Sequence, residues 1–189
     1  MCIRDRIIDP LDGTNNFAHG IAQFAISIAF YHKQEVVLGV VYNPITGELF
    51  EATKNQGAYL NGNKIKVSNN ESLSSSVIGT GFYYDRGEMM KNTLGAIEEL
   101  FRSNIHGIRR FGAASLDLCF IACGRFDGYF EFKLAPWDYS AGALILKEAG
   151  GLISQCSGLD IDNNYSSICL LYTSPSPRDA TLSRMPSSA

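Results

Sequence analysis

Ile7-Ile8-Asp9-Pro10-Leu11-Asp12-Gly13-Thr14-Asn15-Asn16-Phe17 sets two carboxylates three residues apart, where an apolar run ends and a Gly-Thr turn begins. Ionised carboxylates this close repel one another, so either one pKa rises or a cation settles between them. Pro10 fixes its own φ and holds Asp9 extended, which stiffens the pair. Gly13 lets the backbone approach an anion closely, and Thr14 can open a helix whose free N–H groups face a phosphate. The bland alternative is an Asx-type turn in which Asp12 caps the segment from Thr14 onward.

A second stretch, Pro136-Trp137-Asp138-Tyr139-Ser140-Ala141-Gly142, puts a third carboxylate at the expected start of a helix. Alone, an Asp in a first turn after Pro is the ordinary partner of unsatisfied N–H groups. Together the two stretches offer three hard oxygen ligands beside a phosphate-sized turn. That combination points to a Mg²⁺-dependent phosphatase.

The remaining chain frames these motifs. At 189 residues and 46% hydrophobic, it is long enough for one domain with a real core and short for two. A net charge of -3 offers no basic stripe for nucleic acid, and none is expected as a direct partner. No apolar run reaches the roughly 20 residues needed to span a bilayer, so no membrane role is expected. Met1 to Arg6 is charged and lacks the apolar stretch of a signal peptide. Five cysteines form no paired framework and fit reduced thiols in a cytoplasm.

Alternation and turn residues predict strands at Phe24 to Phe30, Val36 to Tyr42, Glu48 to Thr53, Ala58 to Leu60 and Lys64 to Val67. Further strands are expected at Val77 to Phe82, Ile105 to Phe111, Gly128 to Phe132 and Leu152 to Ser154. Helical spacing covers Met89 to Phe101, Ala113 to Cys123 and Asp138 to Ala149, the last closed by Gly150-Gly151. Early strands followed by alternating strand and helix imply one α/β (α+β layered) domain. It is expected to cover residues 7–168. Residues 1–6 and 169–189 lack apolar periodicity and are expected to be non-native or disordered ends.

Both motifs resemble those of the inositol monophosphatases, within the lithium-sensitive, Mg²⁺-dependent phosphatase superfamily. The first is Asp9 to Phe17; the second is Trp137 to Gly142, running on to Glu148-Ala149-Gly150-Gly151. The likeness continues through Gly39 to Tyr42, Gly57 to Gly62 and Arg109 to Asp117. It implies a fold of alternating helix and sheet layers, and hydrolysis of inositol monophosphate by in-line attack of water without a phosphoenzyme. By the same resemblance Asp9 bridges two metals, the Leu11 carbonyl joins the first, and Asp12 with Asp138 completes the second. Asp9, Asp12 and Thr14 are the implied catalytic residues. Gly13 and Thr14 hold the phosphate, while Glu131, Gly112, Ala113, Ala114 and Asp138 contact the sugar. Mg²⁺ is the implied cofactor, a small phosphorylated polyol the implied partner, and a homodimer the implied parent enzyme.

Two departures stand out. Family members often carry His where this chain has Ala135, and their first motif follows a helical pair and a Gly-Glu-Glu segment. This chain starts at the motif and is expected to be an inactive fragment lacking that pair. Related sugar-phosphate, histidinol-phosphate or nucleotide phosphatases, or a non-catalytic interaction module, are the alternatives. A haloacid-dehalogenase-type site needs Asp-x-Asp, one residue shorter than the spacing here. Cys119 and Cys123 read as core, and Gly79-Thr80-Gly81 lacks the spacing of a dinucleotide loop.

Overall fold

The computed structural model describes residues 4–161 and 166–171. A six-stranded antiparallel meander comes first: β1 (Arg4–Asp12), β2 (Ala25–His32), β3 (Glu35–Asn43), β4 (Glu48–Thr53), β5 (Ala58–Leu60) and β6 (Asn63–Ile65), paired in chain order. Its tight turns follow from residues that tolerate positive φ. Lys33 and Gln34 (φ 51° and 66°) join β2 to β3, and Asn61-Gly62 (49° and 76°) joins β5 to β6. A short helix α1 (Thr14–Ala18) lies between β1 and β2.

The second sheet is mixed, in the order β10 (Leu152–Ser154), β11 (Ser166–Leu171), β9 (Gly128–Leu134), β7 (Val77–Thr80), β8 (Gly107–Arg109). Strands β7, β8 and β9 run parallel, and the other two pairings are antiparallel. The parallel part needs crossovers, which α2 (Glu88–Arg102) and α3 (Ala114–Ala122) supply. The last helix, α4 (Pro136–Glu148), follows β9 directly.

Helices α3 and α4 fill the space between the sheets and carry the main core, which includes Val41, Phe50, Leu116, Leu118, Ile121 and Ile145. Every residue of α3 is buried, as its nearly all-apolar sequence requires. Helix α2 covers the far side of the second sheet, where Ala96 and Leu100 meet Ile78, Ile105 and Phe130. Along β2 the inner positions Ala25, Ser27, Ala29 and Tyr31 are buried. The outer face of the first sheet bears Ile8, Ile26, Leu38 and Tyr42, exposed by 36% to 50%.

Several expected elements change length for identifiable reasons. The strand expected at Ile105 to Phe111 shrinks to β8, because Phe111 leaves the sheet to stack on Phe126 at 5.5 Å. The strand expected to reach Val67 stops at Ile65, and the Val67 N–H bonds the Ala149 carbonyl instead. Helix α4 begins at Pro136, two residues before Asp138, since Pro suits a first turn. Strand β11 was not anticipated. At the edges, β1 starts at Arg4 and β11 ends at Leu171. Residues 1–3 and 172–189 lie outside the described residues.

Helix α4 lies flush on β3 because both surfaces are small. A Cβ on Gly39 would sit 2.7 Å from the Ala141 carbonyl oxygen, and one on Gly142 would sit 2.8 Å from Leu118 Cβ. Gly39→Ala is therefore expected to cost about 1–3 kcal/mol by overpacking. Gly95, mid-helix in α2 with open space around it, gives the contrast. Gly95→Ala should stabilise by about 0.5–1 kcal/mol. Urea unfolding of the two variants checks both signs.

Candidate active site

The site begins with a fault in β1. Asp9 pairs with Ser27 of β2 and Asp12 with Ala25, so one extra residue is accommodated on β1 between them. Pro10 causes it, having no N–H for the ladder, and the Asp9 carboxylate accepts the freed Leu11 N–H at 3.0 Å. Side chains alternate along a regular strand, so residues three apart face opposite ways. The bulge restores parity, and Asp9 and Asp12 turn toward the same cavity.

Gly13 then takes φ 86°, and a Cβ there would lie 2.9 Å from the Gln23 carbonyl oxygen. It opens α1 with no side-chain cap. The Thr14 hydroxyl donates to the Leu11 carbonyl at 3.0 Å. Asn16 fastens the loop, donating to the carbonyls of Gln23 and Phe111 at 2.6 and 2.7 Å. Asp12 does not cap α1, as the Asx-turn alternative required. Its carboxylate accepts the N–H and hydroxyl of Ser115 at 2.8 and 2.6 Å, at the start of α3.

Asp138 comes from the first turn of α4, where one carboxylate oxygen caps the Ala135 N–H at 2.8 Å. Cap and candidate ligand are thus one residue. The first turn is tied to β2 on its other side. Ser27 donates to the Trp137 carbonyl at 3.3 Å, and the hydroxyls of Tyr31 and Ser140 meet at 2.9 Å. Ser27 is the residue paired with Asp9, so one strand position sets both carboxylates.

Ligand atoms of Asp9, Asp12 and Asp138 lie within 4.8 Å of one another. Burial pushes Asp12 up to about 7, against the pull of the Ser115 hydrogen bonds, with the charges of Asp138 and Asp9 adding to the rise. Asp138 is raised to about 6, mainly by burial and then by Asp9. Asp9 is raised as well, by burial, although the Leu11 N–H opposes it. Three carboxylates held close at this cost in charge form a donor set suited to a hard divalent cation. The donor set therefore fits a metal.

All ten residues singled out from the sequence line one cavity of about 460 Å³: Asp9, Leu11, Asp12, Gly13 and Thr14 on one side, then Gly112, Ala113, Ala114, Glu131 and Asp138. Glu131 is 7% exposed and raised to about 7, first by burial. Its Oε2 accepts the Tyr129 hydroxyl. Asp117 also lines the cavity, fully buried in α3, with one carboxylate oxygen lacking a partner. Burial holds its carboxyl well above the usual range. The sequence offered one unused signal for it, a lone acid within the apolar run from Ala113 to Ile121. Ser115 gave no such signal.

A family model described as the inositol monophosphatase family matches residues 5–180. The chain belongs to the inositol monophosphatase family. An inositol-1-monophosphatase of Rhizobium meliloti is 46% identical over 153 residues, covering 80% of this chain and 57% of that protein. A Nus factor SuhB of Pseudomonas aeruginosa is also 46% identical, over 155 residues, covering 80% and 56%. The inositol monophosphatase structure from Anabaena superposes with a TM-score of 0.84 at 39% identity, covering 89% of this chain and 67% of that one. The chain thus spans somewhat over half the length of the curated relatives it matches. The mixed helix-and-sheet architecture is that of these family structures.

The carboxyls of this inositol monophosphatase-family site also set a pH dependence. Unfolded, they return to about 4. Their protonated forms are favoured on folding, so this part of the stability is full below about pH 4 and is lost as pH rises through about 6 to 7. A bound divalent cation removes the repulsion that appears over that window. The rise in Tm on replacing EDTA with a divalent cation is therefore expected to be larger at pH 8 than at pH 5. Scanning calorimetry at the two pH values measures it, and an equal rise would contradict the site.

Proposed function

We propose that this chain carries the catalytic centre of a Mg²⁺-dependent phosphomonoesterase that hydrolyses inositol monophosphate to inositol and phosphate. The observation that carries the reading is the convergence of Asp9, Asp12 and Asp138 within 4.8 Å at the wall of a cavity large enough for a polyol phosphate. Asp9, Asp12, Asp138 and the Leu11 carbonyl would hold Mg²⁺. When bound, it supplies charge neutralisation at the phosphate and activation of water for in-line attack.

The chain's own groups do the rest. Gly13, lacking a side chain, lets phosphate oxygens reach the backbone N–H groups that open α1. The Thr14 hydroxyl spends its proton on the Leu11 carbonyl, so its lone pairs remain to accept from, and so orient, the attacking water. Glu131 keeps Oε1 free of the Tyr129 bond and accepts hydrogen bonds from inositol hydroxyls. Gly112, Ala113 and Ala114 leave room for the ring. Related sugar-phosphate, histidinol-phosphate and nucleotide substrates are the competitors within this chemistry.

A second reading has its own support. Relatives 42% to 50% identical bear the name Nus factor SuhB, which favours an interaction module alongside or instead of catalysis. Those names also leave the expected lack of a nucleic-acid partner without support. Cys119 and Cys123, which form no disulfide, suit the proposed cytoplasmic location. No described helix is long and apolar enough to cross a membrane.

The metal reading is tested on the chain itself. Titration with Mn²⁺, followed by paramagnetic relaxation of water, is expected to show saturable binding that Asp138→Ala weakens at least tenfold. Activity is tested in a chimera of this chain with the part of the Rhizobium enzyme that its match leaves out. Phosphate release from inositol 1-phosphate is expected there, with Asp12→Asn lowering kcat by about 100-fold or more. Unchanged turnover in Asp12→Asn would remove the ligand assignment. A chimera without activity that still captures transcription proteins would favour the second reading.

A further inference from the structure

The glycine pair of Gly79-Thr80-Gly81 takes no part in the chemistry above, yet both glycines lie against side chains of β9, Gly79 within β7 and Gly81 just past its end. Gly79 and Thr80 pair with Tyr129 and Phe130, and the Thr80 hydroxyl bonds the Phe130 carbonyl at 3.1 Å. A Cβ on Gly79 would lie 3.0 Å from the Tyr129 ring and 3.1 Å from Phe126. A Cβ on Gly81 would lie 1.9 Å from Glu131 Oε2 and 2.3 Å from its carboxyl carbon. The carboxylate of Glu131 thus occupies the space that any other residue at position 81 would fill. On its other side the buried Tyr129 hydroxyl donates to the same oxygen.

We propose that Gly81 and Tyr129 are positioning residues that fix Glu131 and so select phosphate esters of polyols, whose hydroxyl groups donate to the remaining oxygen. The proposal rests on the phosphatase reading for its ligand, but its geometry stands apart from the carboxylates of the metal site. Glu131 is the far end of a movable side chain, so a methyl at position 81 displaces the carboxylate rather than the strand. Gly81 has no positive φ, so the backbone accepts alanine there. Losing the Tyr129 hydroxyl leaves Oε2 buried without its donor, and the carboxylate turns to seek another. Both changes act on the polyol end of the ligand and leave Gly13 and Thr14 untouched. A site built to hydrogen-bond a hydroxyl discriminates strongly against ligands that lack it.

The test measures two ligands on the chain by calorimetry in the presence of Mn²⁺: inositol 1-phosphate and inorganic phosphate. Gly81→Ala and Tyr129→Phe are each expected to weaken inositol 1-phosphate by about tenfold. Inorganic phosphate should change less than twofold. In a Glu131→Gln background, Tyr129→Phe should add little further loss, since the two act through one carboxylate. Equal weakening of both ligands would mean a merely structural role and overturn the proposal, as would unchanged selectivity. The carboxyl ¹³C resonance of Glu131 gives a readout that needs no ligand, and it should shift in both variants. If the unaltered chain binds neither ligand, the phosphatase reading fails by itself. An unshifted Glu131 resonance would then overturn the positioning role separately, and a shifted one would uphold it.

Discussion

A missing N–H at Pro10 governs the arrangement of this molecule's cavity. Because the ladder between β1 and β2 cannot close there, one extra residue is absorbed between Asp9 and Asp12. The two carboxylates come to share a face that regular alternation would deny them. The freed Leu11 N–H turns to Asp9, and the Leu11 carbonyl takes the Thr14 hydroxyl. Strand end, turn and helix start are thereby locked into one short unit. Everything else in the site is placed relative to it.

Packing brings the third carboxylate to that unit. Helix α4 reaches the sheet only because Gly39 and Ala141 allow backbone to approach backbone, and Gly142 allows the same against α3. Hydrogen bonds from Ser27 and Tyr31 then set its first turn against β2. Asp12 in turn anchors the start of α3 through Ser115. Burial raises the carboxyls of Asp9, Asp12 and Asp138 above the usual range, and neighbouring carboxylates add to the rise at Asp12 and Asp138. Among the described residues no cationic side chain is bonded to those carboxylates, an arrangement that suits an external positive charge.

Membership of the inositol monophosphatase family gives this arrangement a context. Relatives of similar identity carry the name inositol-1-monophosphatase in one case and Nus factor SuhB in another. Function rests in sites rather than folds. The carboxylate cluster speaks to catalysis, and the Glu131 cradle formed by Gly81 and Tyr129 speaks to the ligand.

The sequence by itself determined β2 to β6 to within two residues at each end, because alternation, Asn61-Gly62 and the polar turn at Lys33-Gln34 are local signals. It also singled out Asp9, Asp12, Gly13, Thr14 and Asp138, since their motifs are contiguous, whereas Glu131 came only through the family resemblance. Tertiary structure alone decided what joins across the chain. The bond between Asp12 and Ser115 spans 103 positions, and that between Ser27 and Trp137 spans 110. No periodicity encodes such partners. Asp117 and Tyr129 gain meaning only when burial removes water from them, and Gly81 only when Glu131 fills the place of its absent side chain. Local backbone preference is written in neighbouring residues, whereas desolvation and close approach exist only once distant segments meet.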